Sequence, residues 1–268
     1  MKIVKRYHTL ERGFIMIVGA QLYTLRAYTQ TEVDLARTLE RVAKIGYKTV
    51  QISAIGKDIK PEKVKKICDD LGLSIVLTHS PYERIINDTE RLIEEHTIMG
   101  CDYIGLGAMP DKYRSAVWFD YFVEDMKPAV EKIAKAGKLC MYHNHNFEFE
   151  KVGKNRRLID ALEEEFTKEE LGFTLDTYWI QAAGADVCDV LLRFKERIPC
   201  VHLKDMTVKG METIMAPVME GNLNFPAIFE TLNQTNAKYL LVEQDVCQTD
   251  PFECLTQSYN NLKQHGFQ

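Results

Sequence analysis

Short apolar runs and amphipathic stretches alternate eight times along the chain from residue 15 onward. Turn and capping residues mark the switches: Gly46, Gly72 and Gly100 each follow a helical pattern, and Pro61 opens one. Strict alternation of this kind is typical of a parallel sheet covered by helices. At roughly thirty residues per unit, it predicts a (β/α)8 TIM barrel, with one domain over residues 15–268.

The predicted strands are the apolar runs between these turns, and a predicted helix follows each. The strands are 15–25, 48–53, 74–78, 103–106, the run beginning at 139, 172–175, 200–203 and 239–242. The helices are 31–45, 61–71, 88–99, 115–136 with a kink or break at Pro128, 157–166, 187–198, 226–235 and 251–265. A doubly wound open sheet is the alternative, disfavoured because no Gly-x-Gly-x-x-Gly follows any strand. Residues 1–14 are expected to be a poorly ordered leader.

The overall charge and the cysteine pattern exclude several classes of protein. A formal charge of -5 and a pI near 5.9 oppose nucleic-acid binding. No apolar run reaches the length of a membrane span, and the start of the chain is a poor signal peptide. The seven cysteines are scattered and without a Cys-x-x-Cys pair, which indicates reduced thiols in a cytoplasmic protein. The sequence is compatible with a monomer or with a homo-oligomer.

The stretch that follows the fifth predicted strand is unusually rich in ionisable groups. His143, His145 and Glu148 fall within six residues of one another. Imidazole nitrogens and carboxylate oxygens are common ligands of divalent cations and also the commonest general acids and bases. An ordinary polar surface loop is the alternative for any one of them.

The next three strands also end in metal-ligating residue types. Asp176 follows the sixth strand, His202 lies in the seventh, and Glu243 ends the eighth. Asp176 alone would read as a helix cap, but the active site of a TIM barrel lies at these strand ends. Together with Glu148, these residues predict a site for Mn²⁺, Mg²⁺ or Co²⁺, with zinc less favoured.

Other polar and aromatic residues are expected at the same end of the barrel. Lys204 lies two residues after His202, so both side chains should point into the barrel mouth; the alternative is a solvent-facing lysine paired with Asp205. The remaining candidates are expected to contact substrate. The alternative for the polar residues is a purely structural, hydrogen-bonded side chain. The alternative for the aromatic residues is packing in the core of the loop after the sixth strand. They are Gln21, His79, His143, Tyr178 and Trp179.

Six motifs in this chain resemble the xylose isomerase-like TIM-barrel superfamily, in particular its sugar phosphate isomerase/epimerase group. The motifs are Gln-Leu-Tyr-Thr-Leu-Arg from 21, Tyr-His-Asn-His-Asn-Phe-Glu-Phe from 142, Leu-Asp-Thr-Tyr-Trp from 175, Val-His-Leu-Lys-Asp from 201, Glu-Gly-Asn-Leu-Asn-Phe from 220 and Val-Glu-Gln-Asp from 242. The chain departs from the group at Met219, where glycine is common.

The resemblance implies one divalent cation, often manganese, held by Glu148, Asp176, His202 and Glu243. Ketose epimerases carry the strand-five ligand earlier, at the position of Tyr142 or His143 here, so Glu148 is assigned from the related His-Asn-His group. The resemblance also implies proton transfer next to a carbonyl. We expect Glu243 and His145 to act as the acid and base, with Lys204 as electrophilic support.

The leading hypothesis is therefore a metal-dependent isomerase or epimerase of a sugar, keto-sugar or sugar phosphate, working through an enediolate. A dehydratase or other lyase that shares the first proton transfer is the main alternative. An endonuclease IV-type nuclease is disfavoured because it would need more His and acidic ligands than this chain offers. A non-catalytic sugar-binding barrel is the last alternative.

Overall fold

The computed structural model describes residues 16–152 and 156–267, and within these ranges eight parallel strands close into a barrel. The strands in chain order are β1 (Ile17–Gln21), β2 (Thr49–Ile52), β3 (Ser74–Ser80), β4 (Tyr103–Leu106), β5 (Leu139–His143), β6 (Leu171–Asp176), β7 (Cys200–Leu203), β8 (Asp205–Lys209), β9 (Glu212–Ala216) and β10 (Tyr239–Val242). Strands β8 and β9 form a separate antiparallel hairpin, and β10 closes the barrel by pairing with β1. The predicted TIM barrel is confirmed.

Helices cover the outside of the barrel. They are α1 (Glu32–Ile45), α2 (Pro61–Asp70), α3 (Tyr82–Asn87), α4 (Thr89–Met99), α5 (Phe119–Lys135), α6 (Leu158–Glu165), α7 (Thr177–Ala182), α8 (Val187–Arg193), α9 (Phe225–Leu232) and α10 (Pro251–Gln264). The Thr31 side chain caps α1 by accepting a hydrogen bond from the Asp34 amide. Across the described residues, no helix is long and apolar enough to cross a membrane.

The barrel interior is apolar at one end and polar at the other. Five buried side chains form a small cluster separate from the core between strands and helices: Val76, Leu77, Met141, Cys200 and Leu241. Successive residues of a strand point to opposite faces, so the residues two positions beyond the last three of these also point inward. They are His143, His202 and Glu243, and this alternation places them in one layer above the apolar cluster.

Several elements differ from the sequence-based expectations: the short helices α3 and α7 were not predicted, and α8 ends at Arg193 and not at residue 198. Strand β1 ends at Gln21, whose side chain accepts a hydrogen bond from the Tyr23 amide and turns the chain into a 3-10 helix, Leu22–Tyr28. Helix α5 passes through Pro128 without a break, because its buried apolar stripe packs on both sides of the proline. The hairpin β8–β9 was not predicted. The expected leader, 1–14, lies outside the described residues.

Candidate metal and substrate site

Four buried side chains converge at the carboxyl ends of β5, β6, β7 and β10. They are His143, Asp176, His202 and Glu243, and each offers one ligand atom within 4.8 Å of the others. The His143 Nε2 to Asp176 Oδ2 distance is 3.3 Å, and the His202 Nδ1 to Glu243 Oε2 distance is 3.0 Å. We call these four residues the ligand cluster.

Hydrogen bonds behind the ligand cluster orient its two imidazoles. His143 Nδ1 lies 2.9 Å from the Gly107 carbonyl oxygen, and His202 Nε2 lies 2.7 Å from Gln51 Oε1. Both oxygens only accept hydrogen bonds, so each of these two nitrogens carries a ring proton. The opposite nitrogens, His143 Nε2 and His202 Nδ1, face the carboxylates and are the atoms that would bind a metal.

In each carboxylate of the ligand cluster, one oxygen accepts a hydrogen bond and the other faces the centre of the cluster. Glu243 Oε1 accepts a 2.7 Å bond from Gln21 Nε2, and the Gln21 Oε1 atom is fixed by the Tyr23 amide. Asp176 Oδ1 accepts a 3.1 Å bond from the Trp179 amide and caps α7. Gln21, expected to contact substrate, donates to Glu243 in the structure and positions its carboxylate.

The donor set of the ligand cluster fits a divalent cation. His202 Nδ1 is buried without a well-aligned hydrogen-bond partner among the described residues, and it lies 3.0 Å from Glu243 Oε2, which also contacts the Lys204 ammonium. Burial would lower the pKa of His202, but Glu243 and Asp176 outweigh that effect and raise the pKa to about 9. A field that attracts a proton this strongly also attracts a cation. Two imidazoles and two carboxylates suit divalent transition metals such as manganese, cobalt or zinc.

Glu148 is not brought to the ligand cluster. Its Oε1 accepts a 2.8 Å bond from the Tyr142 hydroxyl, and its Oε2 accepts a 2.7 Å bond from the His145 amide. Tyr142 packs in the core between strands and helices, so its hydroxyl draws Glu148 to the outer side of the barrel wall. Burial raises the pKa of Glu148 to about 7. His143 takes the position at the end of β5 that we had expected Glu148 to fill.

Lys204 meets the ligand cluster as the strand alternation predicts. Its Nζ lies 3.0 Å from Asp176 Oδ2, 2.8 Å from Glu243 Oε2 and 3.0 Å from Asp245 Oδ2, and its side chain is fully buried. Burial would lower the pKa of Lys204, but the three carboxylates together raise it above the ordinary value. The alternative pairing with Asp205 is not observed.

A cavity of about 630 Å³ opens beside the ligand cluster, and two further histidines line it. Burial and the neighbouring His143 lower the pKa of His145 to about 3, and the pKa of His79 is lowered for the same reasons. Both rings are therefore neutral at pH 7. His79 Nε2 and His145 Nδ1 are buried without a hydrogen-bond partner among the described residues.

The two aromatic residues expected to contact substrate, Tyr178 and Trp179, are not among the residues that line this cavity. Tyr178 is buried, and the Trp179 ring lies 5.2 Å from the His145 ring and 5.5 Å from Lys204 Nζ. The structure therefore places Trp179 against the two candidate catalytic side chains.

Asp205 organises the loop that follows the hairpin. Its Oδ1 accepts hydrogen bonds from the Met206 and Leu223 amides, and its Oδ2 accepts from the Met219 and Gly221 amides. Met219 adopts a φ of 71°, the left-handed conformation that glycine adopts most easily. The departure from glycine at Met219 therefore leaves the turn in place.

The sequence-based reasoning missed four supporting residues: Gln51, Gly107, Asn144 and Asp205. Asn144 Oδ1 accepts a bond from the Asp176 amide and so ties β5 to β6. Gln51 points inward by the same alternation along β2 that we applied to Lys204. The alternation could therefore have identified Gln51 from the sequence. No sequence pattern indicates the contact of the Gly107 carbonyl with His143.

The model of the xylose isomerase-like TIM barrel family matches residues 39–257. An inosose dehydratase of Clostridium perfringens is 26% identical over 228 residues, covering 71% of this chain and 74% of the relative. A sugar phosphate isomerase/epimerase structure from Parabacteroides distasonis superimposes with a TM-score of 0.76 at 23% identity, covering 98% of both chains. The structure of an L-ribulose 3-epimerase gives 0.72 at 17% identity, covering 93% of this chain and 94% of the other. These structural likenesses show the fold alone, and the family match covers most of the chain. The chain belongs to the xylose isomerase-like TIM barrel family.

Proposed function

We propose that this protein is a metal-dependent isomerase or epimerase of a free keto-sugar and works by proton transfer next to the carbonyl. The observation that carries the proposal is the ligand cluster itself, with both imidazoles oriented from behind and a cavity beside it. His143, Asp176, His202 and Glu243 would hold the cation, with manganese as the expected metal. When bound, the cation supplies several kcal/mol of stabilisation to negative charge that develops on the substrate oxygen.

His145 is the group we assign to proton transfer. Its ring is neutral, and its Nδ1 has no hydrogen-bond partner beside the cavity within the part of the chain that the structure describes. Glu243 is a poorer candidate than its position suggests, because one oxygen accepts from Gln21 and the other faces Lys204 and His202. Lys204 and His202 also hold the pKa of Glu243 well below its usual range despite burial. We therefore assign Glu243 to holding the cation.

Two features favour a substrate without a phosphate group. TIM barrels often bind phosphate in the loops after the seventh and eighth strands, but four backbone amides of the first loop are already bonded to Asp205. The cavity lining includes the carboxylates of Glu243 and Asp245, and Arg26 is its only lysine or arginine among the described residues. The Arg26 guanidinium already donates to the Tyr23 and Asp245 carbonyl oxygens.

A dehydratase is the second candidate, favoured by the similarity to the inosose dehydratase of Clostridium perfringens. Loss of a hydroxyl would follow the same first proton abstraction. The imidazole of His145, which lines the cavity, is the group that would assist the leaving oxygen. A product lighter by one water than an inosose substrate would select this reaction.

The isotope experiment tests the proposed proton transfer. Incubation of L-ribulose with the manganese-loaded enzyme in D₂O is expected to place deuterium on the carbon next to the carbonyl, detected by mass spectrometry. The variant His145→Ala should label about a hundredfold more slowly, because a positioned acid or base contributes that much or more. The control is His265→Ala, which changes a histidine on the outer helix layer.

Product formed over many turnovers in both directions without solvent deuterium would contradict the proton-transfer mechanism. The same experiment with L-ribulose 5-phosphate tests the substrate class. Faster labelling of the phosphate ester than of the free sugar would contradict the proposal of an uncharged substrate and leave the reaction type standing.

A further inference from the structure

Lys204 is an unusual residue in this fold because a lysine ammonium is buried among three carboxylates. Its side chain has no exposed surface, and its three short contacts go to Asp176, Glu243 and Asp245. Burying a charge is costly unless it is paired, so these contacts must compensate a large loss of hydration. A buried lysine without these ion pairs would strongly destabilise the fold.

The ammonium contacts the same two oxygens that face the imidazoles of the ligand cluster. Asp176 Oδ2 lies 3.0 Å from Lys204 Nζ and 3.3 Å from His143 Nε2. Glu243 Oε2 lies 2.8 Å from Lys204 Nζ and 3.0 Å from His202 Nδ1. Any cation held by the ligand cluster must therefore share these two oxygens with the ammonium.

We propose that Lys204 is a built-in counter-cation that weakens metal binding and holds the ligand cluster together when no metal is bound. This inference rests on the proposed metal centre. Two positive charges that share the same oxygens repel each other, and at separations of a few ångströms this repulsion is large even in a well-screened site. Lys204 therefore lowers the affinity of the ligand cluster for a divalent cation.

Asp245 is the residue that lets both cations coexist. It is a partner of Lys204 but is not a member of the ligand cluster, and its side chain is 21% exposed at the cavity. The three carboxylates carry three negative charges, which one ammonium and one divalent cation balance together. The ammonium thus keeps one carboxylate of its own when Asp176 and Glu243 are shared.

We therefore expect that the bound metal can leave and rebind while the protein stays folded. In the absence of a cation, Asp176 and Glu243 would repel each other across the barrel mouth, and Lys204 neutralises that repulsion. A neutral residue at this position would make folding stability depend more strongly on the metal, because a ligand that binds only the native state stabilises it by an amount that grows with the logarithm of its affinity.

The test is titration of the protein with Mn²⁺, following free Mn²⁺ by electron paramagnetic resonance. Lys204→Met is expected to bind Mn²⁺ at least about tenfold more tightly than the unmodified protein, since a neighbouring positive charge has been removed. Lys204→Gln should do the same, and it retains hydrogen-bond donors for the carboxylates if the methionine variant folds poorly. Lys204→Arg keeps the charge and should stay within about threefold. Thermal unfolding provides a second measurement, in which Mn²⁺ should raise the midpoint of Lys204→Met more than that of the unmodified protein.

Lys138→Met is the matched control. Lys138 is also nearly buried, but it precedes β5 at the opposite end of the barrel, where its Nζ donates to the Cys101 carbonyl oxygen. Its replacement should leave Mn²⁺ affinity unchanged. Equal or weaker binding by both Lys204→Met and Lys204→Gln would overturn the counter-cation role while leaving the metal centre intact. Failure of the unmodified protein to bind Mn²⁺ would instead overturn the metal centre, and the inference with it.

Discussion

Replacing His202 by alanine is expected to abolish tight binding of a divalent cation and to lower turnover of the keto-sugar substrate about a thousandfold or more. The size of the effect follows from the several kcal/mol of charge stabilisation that a catalytic cation supplies. His202 is the ligand most completely prepared for this role, because Gln51 fixes its tautomer and its Nδ1 has no other hydrogen-bond partner in the described part of the chain.

The measurements are the metal content of the purified variant and its turnover with added Mn²⁺. The matched control is His96→Ala, which removes a second buried histidine. His96 contacts the Thr78 hydroxyl and the Leu92 carbonyl oxygen and lies away from the ligand cluster. This control should lose stability and keep its metal. A His202→Ala variant that retains one tightly bound cation would show that the ligand cluster is misassigned.

The second large effect separates His143 from Glu148. His143→Ala is expected to lose the metal, whereas Glu148→Gln is expected to keep it with an affinity within about threefold of the unmodified protein. A glutamine at 148 can still accept from the His145 amide and donate to the Tyr142 hydroxyl, so the wall of the barrel stays intact. Mn²⁺ titration of the two variants checks both expectations.

The free energy of unfolding provides an independent test of the structural role of Glu148. Glu148→Ala removes both hydrogen bonds and leaves the Tyr142 hydroxyl and the His145 amide without their partner. We expect it to lower the free energy of unfolding by about 1–3 kcal/mol for each group left unsatisfied. Loss of metal by Glu148→Gln with retention by His143→Ala would reverse the assignment of the strand-five ligand.

Much of the fold was predictable because the alternation of strands and helices is repeated eight times. Each strand-helix unit predicts the same architecture, so a wrong boundary in one element does not change the predicted fold. The errors arose where local contacts decide the backbone. The Gln21 side chain ends β1 early by accepting from the Tyr23 amide, and the packing of α5 overrides the tendency of Pro128 to break a helix.

The site was predictable to the extent that strand alternation was applied. It placed His202 and Lys204 on one face, and the structure brings both to the carboxylates of Asp176 and Glu243. The same alternation applied to β5 selects His143, because Met141 points into the barrel. Glu148 has a residue type that suits a metal, but the structure places it outside the ligand cluster, where it accepts a hydrogen bond from Tyr142.

Other parts of the site could not be predicted from residue types and spacing. The Gly107 carbonyl that orients His143 belongs to a loop after a different strand. Three of the four backbone amides around Asp205 lie beyond the unpredicted hairpin, which returns the chain to Asp205. Such contacts join residues far apart in the sequence, and no local pattern records them.

The most direct test of the proposed metal centre is anomalous X-ray diffraction from crystals of the protein soaked in Mn²⁺. The expected result is one strong anomalous peak bonded to His143 Nε2, Asp176 Oδ2, His202 Nδ1 and Glu243 Oε2. The Lys204 ammonium is expected to remain in contact with Asp245. A peak bonded to Glu148, or no peak in the barrel mouth at saturating Mn²⁺, would contradict it.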